Sequence, residues 1–177
     1  MKLGAIYSKE KTTFTLFSPV ADSVFVIFYD KGNDSAETGR LEMMRGEGEL
    51  RSIFSATAEG NLDGVYYTYE VHTADGTFSS HDPYARACGV NGHRSMVIDL
   101  SKTDPDGFAD EDRPKLADPM SMVITEVSIA DVSAGASAHS RYPGKFKAFT
   151  EDKILSYFKD MGVTHLQLMP SYDFASI

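Results

Sequence analysis

Turn signals cut the first hundred residues into short β-rich runs, and few folds accept that pattern. The runs are Leu3–Tyr7, Thr12–Ser18, Ser23–Tyr29, Leu41–Met44, Leu50–Thr57, Val65–His72, Thr77–Ser80 and Arg94–Leu100. Breakers such as Lys31–Asp34, Gly46–Glu49, Asn61–Gly64 and Asn91-Gly92 lie between them. Many short strands with a turn after each predict an immunoglobulin-like antiparallel β-sandwich over residues 1–100, making the chain mostly β. Alternation in the sixth run puts Val65, Tyr67, Tyr69 and Val71 on one face and Tyr66, Thr68, Glu70 and His72 on the other. The first face is the predicted core side. Asp75-Gly76 joins two runs directly, as a two-residue hairpin turn does, because glycine accepts positive φ without steric cost.

The pattern changes after residue 100. Ser101–Pro119 carries three of the seven prolines, many acidic residues and no hydrophobic period, so 101–119 reads as an extended connector. Met122–Ile129 is a nearly continuous β-rich run, followed by a polar Gly/Ser/Ala loop that includes Ser133–Ser140. Thr150 is the predicted N-cap of a helix over Glu151–Met161, with Ile154, Leu155, Phe158 and Met161 at helical spacing. Gly162 suits the left-handed position that ends a helix. Val163–Met169 is then a strand closed by Pro170. Residues 120–177 therefore predict a β-α-β unit, the opening of a parallel sheet or barrel.

Several partner classes are disfavoured by composition. With 26 acidic against 17 basic residues the formal charge is −9, which repels phosphate backbones and anionic lipid surfaces. No nucleic acid and no membrane partner is expected, and no stretch approaches the roughly 20 apolar residues of a membrane-spanning helix. Cys88 stands alone, and the opening residues lack the apolar core of a signal peptide, so the expected compartment is the cytoplasm.

Metal and phosphate chemistry are not expected either. His72, His81, His93, His139 and His165 show no ligand-like spacing with one another or with Cys88, so neither a metal nor a cofactor is predicted. Gly89–Gly92 lacks the lysine and the following helix of a phosphate-binding loop and reads as a turn.

A series of phrases, in order and at matching spacing, gives the chain a resemblance. They are FTLFSPVADSVFVIFY, DGVYYTYEV, HDPYARACGVNGHRSMVIDL followed by TDPDGF, then GKFKAFTE and MGVTHLQLMPSYDFAS. Together they resemble type I pullulanases of glycoside hydrolase family 13, enzymes that hydrolyse α-1,6 branch linkages in α-glucans. The resemblance implies that residues 1–100 are a family 48-like carbohydrate-binding module. It also implies that residues 120–177 are the first β-α-β unit of a truncated catalytic TIM barrel, with Met122–Ile129 and Val163–Met169 as its first two strands. The family places its nucleophile, acid/base and third carboxylate on later strands, so no catalytic residue is expected here. A stand-alone glucan-binding module, and the same module from a branching enzyme or isoamylase, are the alternatives.

Sugar contact requires flat aromatic faces, and with no tryptophan the candidates are Phe28, Tyr29, Tyr66, Tyr84 and Tyr142. Asp82-Pro83-Tyr84 is expected to be a fixed turn rather than a sugar site, because Pro83 locks its own φ and pushes Asp82 towards extended geometry. Glu126, Asp131 and Asp173 are expected as polar groups near the barrel mouth, without a catalytic role. The family pattern there has Tyr-Glu, then His or Met and an Arg-Asp pair. This chain instead reads Thr125-Glu126-Val127-Ser128-Ile129-Ala130-Asp131, which implies weaker substrate contacts. A barrel cut after two strands also leaves Ile124, Phe158, Leu166 and Leu168 to be covered, so association with a second copy, or folding back on the sandwich, is expected.

Overall fold

The computed structural model describes residues 2–111 and 115–171. The chain divides into two compact units, one holding Met1–Ala109 and the other Asp110–Tyr172. In the first, nine strands form one antiparallel ladder: β1 Gly4–Tyr7, β2 Lys11–Phe17, β3 Ser23–Tyr29, β4 Glu37–Arg45, β5 Ile53–Glu59, β6 Tyr66–Thr73, β7 Gly76–Ser80, β8 Ala87–Cys88 and β9 Ser95–Met96. The order is β1-β2-β5-β4-β3-β6-β9-β8, with β7 also paired to β6.

Strand β4 explains how one ladder makes two layers. It pairs with β3 from Met43 back to Glu37, but with β5 only at Met44 and Arg45. The strand passes from one layer to the other at its last two residues, which folds the ladder over into a sandwich.

Alternating side chains fill the space between the layers. Phe14 and Leu16 from β2, Val24 and Val26 from β3, Phe54 from β5 and Tyr67 and Tyr69 from β6 are all buried. Phe14 meets Tyr67 edge to face at 5.0 Å, and Tyr67 meets Tyr69 likewise at 5.8 Å. This arrangement adds to the gain from area buried alone.

Several strand limits differ from expectation for local reasons. β4 extends back to Glu37 because Gly39 and Arg40 find partners in Phe28 and Ile27, although within Glu37–Arg40 Thr38 alone has a strand preference. β5 starts late, since Gly48–Leu50 form a 3₁₀ turn with Gly48 at φ +58°. The Arg94–Leu100 run pairs as a strand only at Ser95–Met96, and Asp99 then caps a 3₁₀ turn over Leu100–Lys102. The hairpin loop is Ala74-Asp75, with Gly76 already paired to Thr73, whose Oγ1 accepts from the Asp75 N–H at 3.2 Å.

The second unit holds β10 Ile124–Val127, α1 Ile129–Ala134, α2 Asp152–Asp160 and β11 His165–Leu168. β10 and β11 are parallel, with Ile124 opposite His165 and Glu126 opposite Gln167. Ile154 and Phe158, four apart on α2, are buried with Val127, and Val132, Val163 and Leu166 pack against them. Gly162 at φ +72° ends α2: its N–H bonds the Lys159 carbonyl and that of Val163 bonds Phe158, the double pattern of a Schellman motif.

Three expectations in this unit need correction. The Met122–Ile129 run is a strand only over four residues, because the Ser128 side chain accepts from the Asp131 N–H at 3.3 Å and starts α1 there. Ser133 in the polar stretch is buried, its Oγ accepting from the Gly144 N–H at 2.8 Å.

Thr150 does not cap α2. It closes a 3₁₀ turn over Phe146–Thr150 and donates its hydroxyl to the Lys147 carbonyl at 2.8 Å.

Glu151 occupies the cap position, but its carboxylate turns back to accept from the Ser140 hydroxyl at 2.5 Å and the Arg141 N–H at 2.9 Å. The bond from Ser140, then the one from Arg141, holds the Glu151 carboxyl below the ordinary glutamate value. A depressed folded-state value contributes stability above the unfolded value, and this is lost as pH falls through the folded value. Far-ultraviolet dichroism melts across that acidic range should show the second unit weakening, and Glu151→Gln should flatten the part of the slope due to this group. An unchanged slope in the variant would assign the acid sensitivity to other carboxylates.

Candidate functional site

Asp82 organises the most constructed part of the surface. This buried residue accepts from the Tyr67 hydroxyl at 2.6 Å and the Tyr69 hydroxyl at 3.2 Å, while its own N–H donates to Ser95 Oγ at 2.9 Å. The other carboxylate oxygen accepts from the Tyr84 N–H at 2.8 Å, and the Ala85 N–H closes the turn onto the Asp82 carbonyl at 3.1 Å. Burial first, and the neighbouring carboxylate second, push the Tyr67 and Tyr69 phenols well above their usual range, so both remain donors.

The turn opens onto a cleft of about 320 Å³ lined by Ile6 and Tyr7 of β1, by Tyr84 and Arg86, and by Asp99 and Leu100. Tyr84 is 46% exposed there, whereas Asp99 is 8% exposed and accepts from both the N–H and the hydroxyl of Ser101.

The other candidate rings stand differently. Phe28 packs against the core, edge to face with Phe14 at 5.7 Å. Tyr29 lies on the outer face, its hydroxyl 3.3 Å from Thr68 Oγ1 and the Arg94 guanidinium 3.5 Å from its ring centre. That cation covers the ring face a sugar would need. Arg94 is fixed there by donating to the Lys31 carbonyl, Ser35 Oγ and the Ser35 carbonyl.

Tyr66 is half-buried, and a Cβ placed on Gly32 would lie 3.1 Å from its ring edge. Tyr142, in the second unit, carries the Lys147 ammonium 4.6 Å from its ring centre. Phe17 and Phe78, at 53% and 52% exposure, are open aromatics that the sequence patterns did not single out, because strand alternation alone does not separate an edge ring from a core ring.

In the second unit Glu126 and Asp131 border one cleft of about 730 Å³, together with Ser128, Lys153, Tyr157 and Met169. Glu126 is exposed on β10, while Asp131 sits in the first turn of α1 rather than on a strand end. Asp173 lies outside the described residues. Among the described residues no cluster of three or more His, Cys, Asp or Glu side chains could hold a metal, and no helix is long and apolar enough to cross a membrane.

The sandwich has known counterparts. Residues 2–85 match the family described as carbohydrate-binding module 48 (isoamylase N-terminal domain). They are similar to a family 48 module. The match extends past the module in whole proteins: 29% identity over 99% of this chain with a pullulanase of Bacillus subtilis, and 31% over 99% with pullulanase A of Streptococcus pneumoniae.

A solved pullulanase of Paenibacillus barengoltzii, in complex with maltohexaose and α-cyclodextrin, superposes with a TM-score of 0.87 at 34% identity over 97% of the chain. The chain spans 24% and 15% of the two curated relatives and 27% of the solved one. It is thus the counterpart of the amino-terminal, module-bearing region of pullulanase-like family 13 enzymes. Phe28, Tyr29, Tyr66 and Tyr84 fall within the family 48 module, and Tyr142 falls beyond it.

Proposed function

We propose that the chain is the amino-terminal portion of an α-glucan debranching hydrolase for α-1,6 bonds, with residues 1–100 as its glucan-facing module, 101–119 as connector and 120–177 as the first β-α-β unit of its TIM barrel. The observation that carries this is the colinear match to pullulanases over nearly the whole chain, well beyond the family 48 module. The parallel pairing of β10 with β11 and the burial of Val127 and Leu166 beneath α2 support a barrel opening. In that setting Glu126, opposite Gln167, and Asp131 are polar groups of the barrel mouth.

Glycoside hydrolysis needs two carboxylates about 5–5.5 Å apart for retention, or further apart for inversion, on later strands by the resemblance. The 177-residue chain alone is therefore expected to release no reducing sugar from pullulan. Activity that co-purified with the chain and vanished in Glu126→Gln would overturn this assignment.

The partner proposed is an α-glucan, in line with the maltohexaose and α-cyclodextrin held by the Paenibacillus relative, and the compartment proposed is the cytoplasm. The second unit leaves Met120, Ile124 and Leu168 exposed at 89%, 58% and 42%. Light scattering across a concentration series should accordingly show the isolated chain associating with a second copy. A strictly monomeric chain at all concentrations would remove that part of the proposal.

A further inference from the structure

We infer that the cleft between β1, the Asp82–Ala85 turn and the Asp99–Ser101 segment is a subsite for one glucosyl residue of an α-glucan, stacked on Tyr84. The inference rests on the glucan-facing role proposed for the module and names the place on it. It reverses the expectation that the Asp82 turn excludes a sugar site. The turn is fixed, and its rigidity is what presents the ring.

A glucose ring offers an apolar C–H face and a rim of hydroxyl groups, so its receptor needs an open aromatic face beside donors and acceptors of both kinds. The cleft has that composition: Tyr84 and Leu100, exposed at 46% and 44%, beside the buried Asp99 carboxylate and the basic Arg86 and Lys2. An anionic ligand would be drawn by Lys2 and Arg86 but opposed by Asp99, and a wholly apolar one would strip water from three charged side chains without replacing their hydrogen bonds. A neutral polyol meets neither obstacle. The volume, about 320 Å³, is at the small end of ligand sites and suits one sugar unit with the chain running on into solvent.

Preorganisation separates Tyr84 from the other rings. Its N–H is bonded to Asp82 Oδ1, and the Gly4 backbone packs so closely that a Cβ there would lie 2.8 Å from Tyr84 Cβ. A main chain held in place leaves only the side-chain torsions of the ring to be ordered on binding. Tyr29, the nearest rival, has its face taken by Arg94. Asp82 is a positioning residue in this account, and Tyr84, Asp99 and Arg86 make the contacts.

The test uses the full chain, isotopically labelled and titrated with maltohexaose and with α-cyclodextrin. Amide shifts should cluster at Ile6, Ala85 and Leu100. Tyr84→Ala should weaken binding at least about tenfold at an unchanged melting temperature, and Tyr84→Phe should stay within about threefold of the parent. Because the shifts are mapped on the unsubstituted chain, the result does not depend on the variant folding. Binding that persisted undiminished in Tyr84→Ala, with shifts around Tyr29 and Thr68, would overturn the cleft and leave the glucan-facing role standing. No shift with either glucan would overturn both, while the pullulanase resemblance of the whole chain would be untouched.

Discussion

Replacing Asp82 by alanine is expected to cost the first unit about 3–5 kcal/mol, the largest loss from any single polar side chain in the sandwich. The carboxylate accepts from two buried tyrosine hydroxyls and one backbone N–H. Alanine removes both carboxylate oxygens, and with them all three bonds, while leaving the donors in place. Each hydroxyl stranded without a partner costs about 1–3 kcal/mol, because water does not reach it.

Tyr67 and Tyr69 are 0% exposed, so they cannot turn to solvent without unpacking Phe14. Asp82→Asn keeps the shape and one good acceptor, and should cost about half as much. The chain has no tryptophan, so tyrosine fluorescence in a urea series reports the transition. A loss under about 1 kcal/mol for Asp82→Ala would mean that water enters the site and replaces the carboxylate.

Gly89→Ala is the second large effect, at about 3 kcal/mol, and here the cause is space rather than backbone angle. Gly89 has φ −77° and ψ −178°, which alanine adopts freely. Its Cβ, however, would lie 2.5 Å from the Gly32 Cα and 2.8 Å from the Gly32 carbonyl oxygen, neither of which can swing aside as a side chain could. Two backbone segments touch at this point, and Arg94 ties the same two together through the Lys31 and Ser35 carbonyls.

Forcing the segments apart should pull the guanidinium off Tyr29 and lengthen those bonds. Arg94→Ala alone should cost about 2 kcal/mol. Because both substitutions break one contact, the double variant should lose clearly less than the sum. Strict additivity would show that Arg94 and the glycine contact act separately.

The legible parts of the fold were those where one periodic signal decided the outcome. Alternation in Val65–Val71 found Tyr67 and Tyr69 for the core, and the spacing of Ile154 and Phe158 found the buried face of α2. The amino-terminal half of β4 was not legible. Glu37 to Arg40 are exposed or half-exposed, and apart from Thr38 their strand conformation comes from pairing with β3 rather than from a preference of their own. Helix α1 was hidden for a related reason: Ile129 closes a β-rich run and the residues after it read as a polar loop, so only the Ser128 cap marks a helix start.

Among the candidate rings, sequence could nominate Tyr29 and Tyr84 alike. What separates them is a cation 65 residues downstream of Tyr29 that sits on one ring and leaves the other bare. Such a long-range contact leaves no local trace.

The single strand shared by the two layers gives the sandwich unequal sides. Parting the layers beside β4 means breaking main-chain bonds from Met44 and Arg45 to β5. The opposite side is bounded by strands with one neighbour each, β1 in one layer and β7 and β8 in the other. Among the described residues no strand pairing joins β1 to β7 or β8 there. The layers are therefore joined by strand pairing along one flank only, and the small cleft has Ile6 of β1 on one wall and Met96 of β9 on another. A ligand in that space would touch both layers on the side where no strand pairing joins them.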